Sequence, residues 1–184
     1  MVRTEARRRL SGNTRKAVLV VHVLASGAWI GIDVVLAVLV FTAMFTGDTA
    51  TAATSYQALQ LFAVWPLLVV GLACLASGVV LGLGGKYGVV RYWWVAVKLV
   101  LNVVLTVLGV VALRPGVLDA AEHGRLLALG QAAGSPPDLV FPPIVSPTCL
   151  LFAVVLSVFK PWGRIRRGAA AGTSTAERAA VTAR

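Results

Sequence analysis

Charge is what this sequence has least of. Asp, Glu, Lys and Arg make up 13% of its 184 residues, about half of the roughly 25% usual in a soluble domain. That shortfall excludes an ordinary water-soluble enzyme. Acidic residues are the scarcer sign, seven against 17 Lys and Arg. Cysteine, histidine and methionine number two each. Two cysteines cannot staple a large secreted scaffold. So few His and Met cannot assemble a zinc or copper cluster within one chain, and no metal site is expected. No phosphate loop, dinucleotide fingerprint or Ser/His/Asp set is evident, and the GLGG at 82–85 has no strand before it.

Apolar side chain is what fills the space. Hydrophobic residues reach 58% and mean hydropathy is +0.85, which excludes disorder. Four runs stand out, at 17–45, 61–83, 92–113 and 143–162. About 20 apolar residues cross the roughly 30 Å of bilayer hydrocarbon as a helix. The fourth run is the weakest: its uninterrupted core is only 149–159, and Pro147 is expected in its first turn. The runs do not alternate, and four strands cannot close a barrel. The expected fold is therefore all-α, a polytopic membrane four-helix bundle. Residues 1–16 read as a basic N-terminal segment, 46–60 as a small loop uncharged apart from Asp48, and 84–91 as a short Gly-rich turn. Residues 114–142 read as the one sizeable outer loop, whose middle, VLDAAEHGRLLALG, suits a short interfacial helix. Residues 163–184 read as a disordered basic tail. The first run approaches 29 residues, too long for the 7–15-residue core of a signal peptide, so an uncleaved first helix is expected.

The basic residues sit at the ends of the apolar runs. Arg3, Arg7, Arg8, Arg9, Arg15 and Lys16 precede the first, and Lys86 and Arg91 join the second to the third. Lys160, Arg164, Arg166, Arg167, Arg178 and Arg184 follow the fourth. With the N-terminus inside, fourteen basic residues face the cytoplasm and two, Arg114 and Arg125, face out. The positive-inside rule thus puts both termini in the cytoplasm, here of a bacterial inner membrane. The expected partners are anionic lipid headgroups, not nucleic acid. A homo-oligomer stays open. Tyr92, Trp93, Trp94 and Trp162 fall at the expected inner boundaries and Trp65 at an outer one.

Polar residues inside the runs are costly and so informative. His22, Ser26, Trp29 and Asp33 share one face of the first helix, because eleven residues at about 100° each return to within roughly 20°. Lys98 and Asn102 share a face of the third. His22 and Lys98 each have a plain reading, a carbonyl or headgroup partner for one and snorkelling for the other. Asp33 lies past the midplane and needs a partner or must become neutral. Lys98 is the available cation, and Asn102 is nearer in depth. Together these residues form an expected buried polar cluster. Two small-residue stripes, Gly27 with Gly31 and Cys74 with Gly78 and Gly82, are expected to let helices approach.

The string HVLASGAWIGID resembles the His…Trp-(Ile/Val)-Gly opening of a broad group of four-to-five-helix bacterial membrane proteins. That group includes the HemJ-type protoporphyrinogen oxidases and the CopD copper-resistance proteins. The segment GVVLGLGGKYGVVRYWWVAVKLVLNVVL is similar to its second-to-third-helix junction, and KPWGRIRRG resembles the ending of short members from high-G+C bacteria. The likeness covers 18–113 and the tail junction. It implies a haem b or porphyrin site with His22 and Lys98 as cofactor-binding residues. The further His and Arg of HemJ-type bundles are missing here, and bis-His ligation within one chain is excluded. Three readings remain: a structural or accessory multi-pass membrane protein with a buried polar cluster and no catalytic residues; a haem- or porphyrin-binding redox protein; and a small proton-linked transporter centred on Asp33.

Overall fold

The protein is described from a computed structural model that covers residues 10–84 and 92–159. The Gly-rich turn with Lys86 and Arg91, the first nine residues and everything from Lys160 lie outside the described residues, Trp162 and the expected tail included. Six helices follow in order: α1 (Gly12–Phe45), α2 (Thr49–Ala63), α3 (Trp65–Gly84), α4 (Trp93–Leu108), α5 (Arg114–Ala128) and α6 (Pro142–Phe159). A π-wound turn, Gly109–Leu113, joins α4 to α5. No strand occurs among the described residues.

Four helical stretches are long and apolar enough to cross a membrane: α1, α2 with α3, α4 with α5, and α6. Their outward faces carry aliphatic side chains in the open. Val20, Leu24, Val34 and Val38 on α1, Val100 on α4, and Leu151 and Val158 on α6 are all more than half exposed. Water would not tolerate so continuous an apolar surface on a monomer, whereas lipid would.

Three of the stretches exceed what a bilayer needs. Helix α1 has 34 residues, about 50 Å at 1.5 Å each. The surplus builds a helical cap at the end away from Arg15 and Lys16, where the sequence suggests loops. Residues 46–60 are not a loop but mostly α2. Asp48 caps that helix: its carboxylate accepts from the Thr51 N–H at 2.9 Å and from the Thr51 hydroxyl, and these donors hold its pKa below the usual carboxylate value. The expected outer loop 114–142 likewise begins as α5, which continues α4 instead of lying apart. Residues 129–141 contain no helix.

A core of Leu36 and Val40 from α1, Tyr56 and Leu59 from α2, and Val117 and Ala120 from α5 holds the cap together, closed by Leu139. Helices α2 and α5 meet at Gly124. A Cβ there would stand 2.7 Å from the Ala53 carbonyl oxygen and 2.8 Å from Tyr56 Cβ, so only glycine permits the contact. His123 beside it donates from Nδ1 to the Ala133 carbonyl at 2.8 Å and sets its ring edge-on to Tyr56. This histidine organises the cap.

A second core, of Ala25, Trp29, Leu67, Cys74, Leu105 and Leu150, lies between the spans. The inward side of α1 runs through Ala25, Trp29, Asp33, Leu36 and Val40. Gly27 and Gly31 point away from it: a Cβ at either would meet nothing within 4 Å. Their expected packing role is thus corrected, since no described helix lies against this stripe. Helix α6 begins at Pro142, so Pro147 sits inside it, not in its first turn.

Gly124→Ala should destabilise the cap by about 1–3 kcal/mol, the usual cost of overpacking, while Gly27→Ala should not. Thermal unfolding of both variants in one detergent checks this; equal melting temperatures for the two would contradict the packing described.

Candidate functional site

The polar residues of the spans separate into three groups instead of one cluster. The first ties α1 to α3. His22 Nδ1 lies 2.9 Å from Ser77 Oγ and 3.1 Å from the Cys74 carbonyl oxygen. The Ser77 hydroxyl donates to the Ala73 carbonyl at 2.6 Å, which leaves its lone pairs to accept. Both neighbours of Nδ1 are therefore acceptors, and Nδ1 carries the proton. In a neutral ring Nε2 is then the unprotonated nitrogen. Ser26 donates to the His22 carbonyl at 2.8 Å, and its Oγ lies 3.3 Å from Cys74 Sγ. Gly78 makes room for the ring, since a Cβ there would come 3.2 Å from His22 Cε1. The Cys74–Gly78 stripe thus seats the histidine.

The second group ties α4 to α6. Lys98 Nζ donates to Ser157 Oγ at 2.9 Å and sits 4.8 Å over the Trp94 ring. Ser157 in turn donates to the Ala153 carbonyl. Among the described residues no carboxylate approaches Lys98, and the ion pair found is Arg125–Glu122, on the surface of α5. An ammonium has three donors, and one hydroxyl and one aromatic face leave it undersupplied.

The third group ties α1 to α6. Asp33, 2% exposed, accepts from the Ser146 hydroxyl at 2.7 Å. It pairs with neither Lys98 nor Asn102, the partners the sequence suggests. Eleven residues separate His22 from Asp33, about 16 Å along the axis, so one shared face meets different neighbours at its two ends.

His22, Lys98 and Asn102 do line one chamber. It lies between α1, α3, α4 and α6, has a volume of about 400 Å³, and includes Arg15, Trp94 and Ser157 in its wall. The rest of the wall is aliphatic apart from small groups such as Ser26 and Cys74, and among the described residues no Asp or Glu borders it. Gly82 borders it too, while Asp33 does not. Asn102 Oδ1 is buried without a partner. Such a space suits a mostly apolar molecule with an anionic end. It does not suit a polynuclear metal site, as no group of three His, Cys, Asp or Glu occurs among the described residues. Ser77, Ser146 and Ser157 escaped sequence reasoning. Each is a lone hydroxyl inside an apolar run, and that is the signal that could have found them.

Comparison with protein-family models, with curated proteins and with solved structures finds no match. The geometry therefore carries the functional argument alone.

Ser146→Ala should cost about 1–3 kcal/mol by leaving the Asp33 carboxyl without its donor. In the Asp33→Leu background the same change should cost far less. A double-mutant cycle of melting temperatures reads the coupling, and additive losses would mean that the two side chains do not depend on each other.

Proposed function

We propose that this chain is a multi-pass protein of the bacterial inner membrane that binds an acidic amphiphile in the chamber between α1, α3, α4 and α6. Both termini then lie in the cytoplasm, with Arg15 at the headgroup level of the inner leaflet, in keeping with the charge bias of the flanks. The observation that carries the reading is Lys98, a cation inside an apolar helix that has no carboxylate partner among the described residues, in a chamber that none of their acidic side chains borders. An incoming carboxylate or phosphate would meet the free ammonium donors, with Arg15 nearby. The tail would lie against Leu19, Leu75, Leu101 and Val154.

A fluorescent long-chain carboxylic acid and its methyl ester provide the test, with the full-length protein in detergent. The acid should bind at least about tenfold more tightly, the value of one charge-assisted contact. Lys98→Met should bring the two affinities together. Equal affinities in the unaltered protein would end the proposal.

One observation favours haem b or a porphyrin as a second reading. The hydrogen bonds at Nδ1 fix the His22 ring and leave Nε2 basic, as an axial ligand requires. A singly ligated haem would use His22 for the iron and Lys98 and Arg15, which border the same chamber, for the propionates. Bound there, haem would supply one-electron redox chemistry. His22 would hold it, and the aliphatic walls would limit water. Protein produced with haem supplied should then show a Soret band that His22→Ala removes; a colourless preparation counts against it. The transport reading centred on Asp33 is not carried forward, because that residue is held by Ser146 and does not reach the chamber.

A further inference from the structure

The hydrogen bonds of the His22 ring all run through Nδ1, to Ser77 and to the Cys74 carbonyl, with the Cys74 thiol also near. Cε1 lies against Gly78. That edge of the ring is turned to α3, and Nε2 has no partner among the described residues. It is not sealed off, either. The polar side-chain atoms that are both partnerless and enclosed are Trp29 Nε1, Asn102 Oδ1 and Thr106 Oγ1. Nε2 is not one of them, so it keeps accessible surface. The residue is part of the chamber wall, and a molecule in the chamber can meet this nitrogen.

The chamber then makes two opposite demands. Unprotonated Nε2 can only accept, whereas Lys98 and Arg15 can only donate. Lys98 spends one of its three donors on Ser157, and its charge is near enough to act on the imidazole. A carboxylate answers the two cations but has no proton for Nε2, so lone pair would face lone pair. It also brings one negative charge against two positive ones. A phosphate monoester brings close to two, and its last proton leaves at about pH 6. At neutral pH that proton is easily shared with an imidazole nitrogen. Either side can hold it, and a charge-assisted hydrogen bond results in both cases. The fork of Arg15 suits phosphate as well. A phosphate diester has one charge and no proton to share.

We propose that the chamber selects a phosphate monoester, with His22 Nε2 sharing the remaining phosphate proton while Lys98 and Arg15 meet the charge. This rests on the reading of the chamber as the seat of an acidic amphiphile, and it names the acid. The monoester is either the headgroup of a membrane amphiphile, whose tail lies on the aliphatic wall, or a water-soluble phosphate compound that enters without one. His22 and Lys98 make the same contacts to both.

Dodecyl phosphate, dodecyl methyl phosphate and dodecanoate test this by calorimetric titration into the full-length protein in a non-ionic detergent at neutral pH. The monoester should bind about tenfold more tightly than the diester, the value of one charge-assisted hydrogen bond. His22→Asn keeps a donor in place of the Nδ1–H and removes Nε2. It should bring the monoester to the affinity of the diester and leave the diester unchanged; a purely structural role for His22 would weaken both together. Lys98→Met should weaken both and preserve their ratio. Displacement of dodecyl phosphate by inorganic phosphate supports a soluble source, and saturable binding that inorganic phosphate does not displace supports a membrane-borne one. Equal affinities for monoester and diester in the unaltered protein would overturn the proposal, as would a preference that survives His22→Asn. If dodecanoate binds but the two phosphates are alike, the chamber stands and only this choice of acid fails. If none of the three binds, both readings fall.

Discussion

Hydrocarbon offers no hydrogen bonds, and for helices long and apolar enough to cross a membrane that single condition bears on every polar side chain they carry. A polar side chain placed there must find its partner on another helix. Three do so, and each joins a different pair: His22 with Ser77 joins α1 to α3, Asp33 with Ser146 joins α1 to α6, and Lys98 with Ser157 joins α4 to α6. The direction of donation is consistent. Ser77 and Ser157 spend their protons on their own helices and so accept from nitrogen, whereas Ser146 donates to a carboxylate. Interhelical bonds of this kind contribute only about 0.6–2 kcal/mol each. Their effect is mainly on register, fixing how far each helix slides and turns against the next.

The chamber follows from that register. With His22 held on α3 and Lys98 held on α6, the two side chains border one space without touching. Gly78 gives the imidazole room on one side. Trp94, 9% exposed, packs beneath the ammonium on another. The cap fixes the far ends independently, since its core of Leu36, Val40, Tyr56, Leu59, Val117 and Ala120 shares no buried residue with the core around Trp29. Between the two cores lie the α2–α3 break and the π turn, the irregular level of the molecule.

The spans were legible because hydropathy over 20 residues is a strong signal. The cap was less so: Ala53, Tyr56, Leu59 and Ala63 repeat at helical spacing, but among Thr and Gln, where no long apolar run draws attention. The face arithmetic on His22, Ser26, Trp29 and Asp33 did find the inward side of α1, with Trp29 and Asp33 both buried. It failed as a cluster because angle carries no information about depth. Gly27 and Gly31 misled for the complementary reason: a spacing of four names a face but not which way it looks. His22 and Lys98 came to one chamber, yet their partners are serines that no motif marks.

Asp33 and Lys98 make the sharpest physical contrast. Two opposite charges in a medium of low dielectric attract strongly, and a direct pair offsets part of the desolvation cost of each. A chain selected only for stability would bring them together or replace both with aliphatic residues. Here each is given a serine instead, on different levels of α6. Keeping them apart leaves the ammonium with one hydroxyl and one aromatic face among the described residues, an arrangement that offsets less of its desolvation cost than an ion pair would. On the proposed reading, an acidic ligand would recover part of that cost on binding.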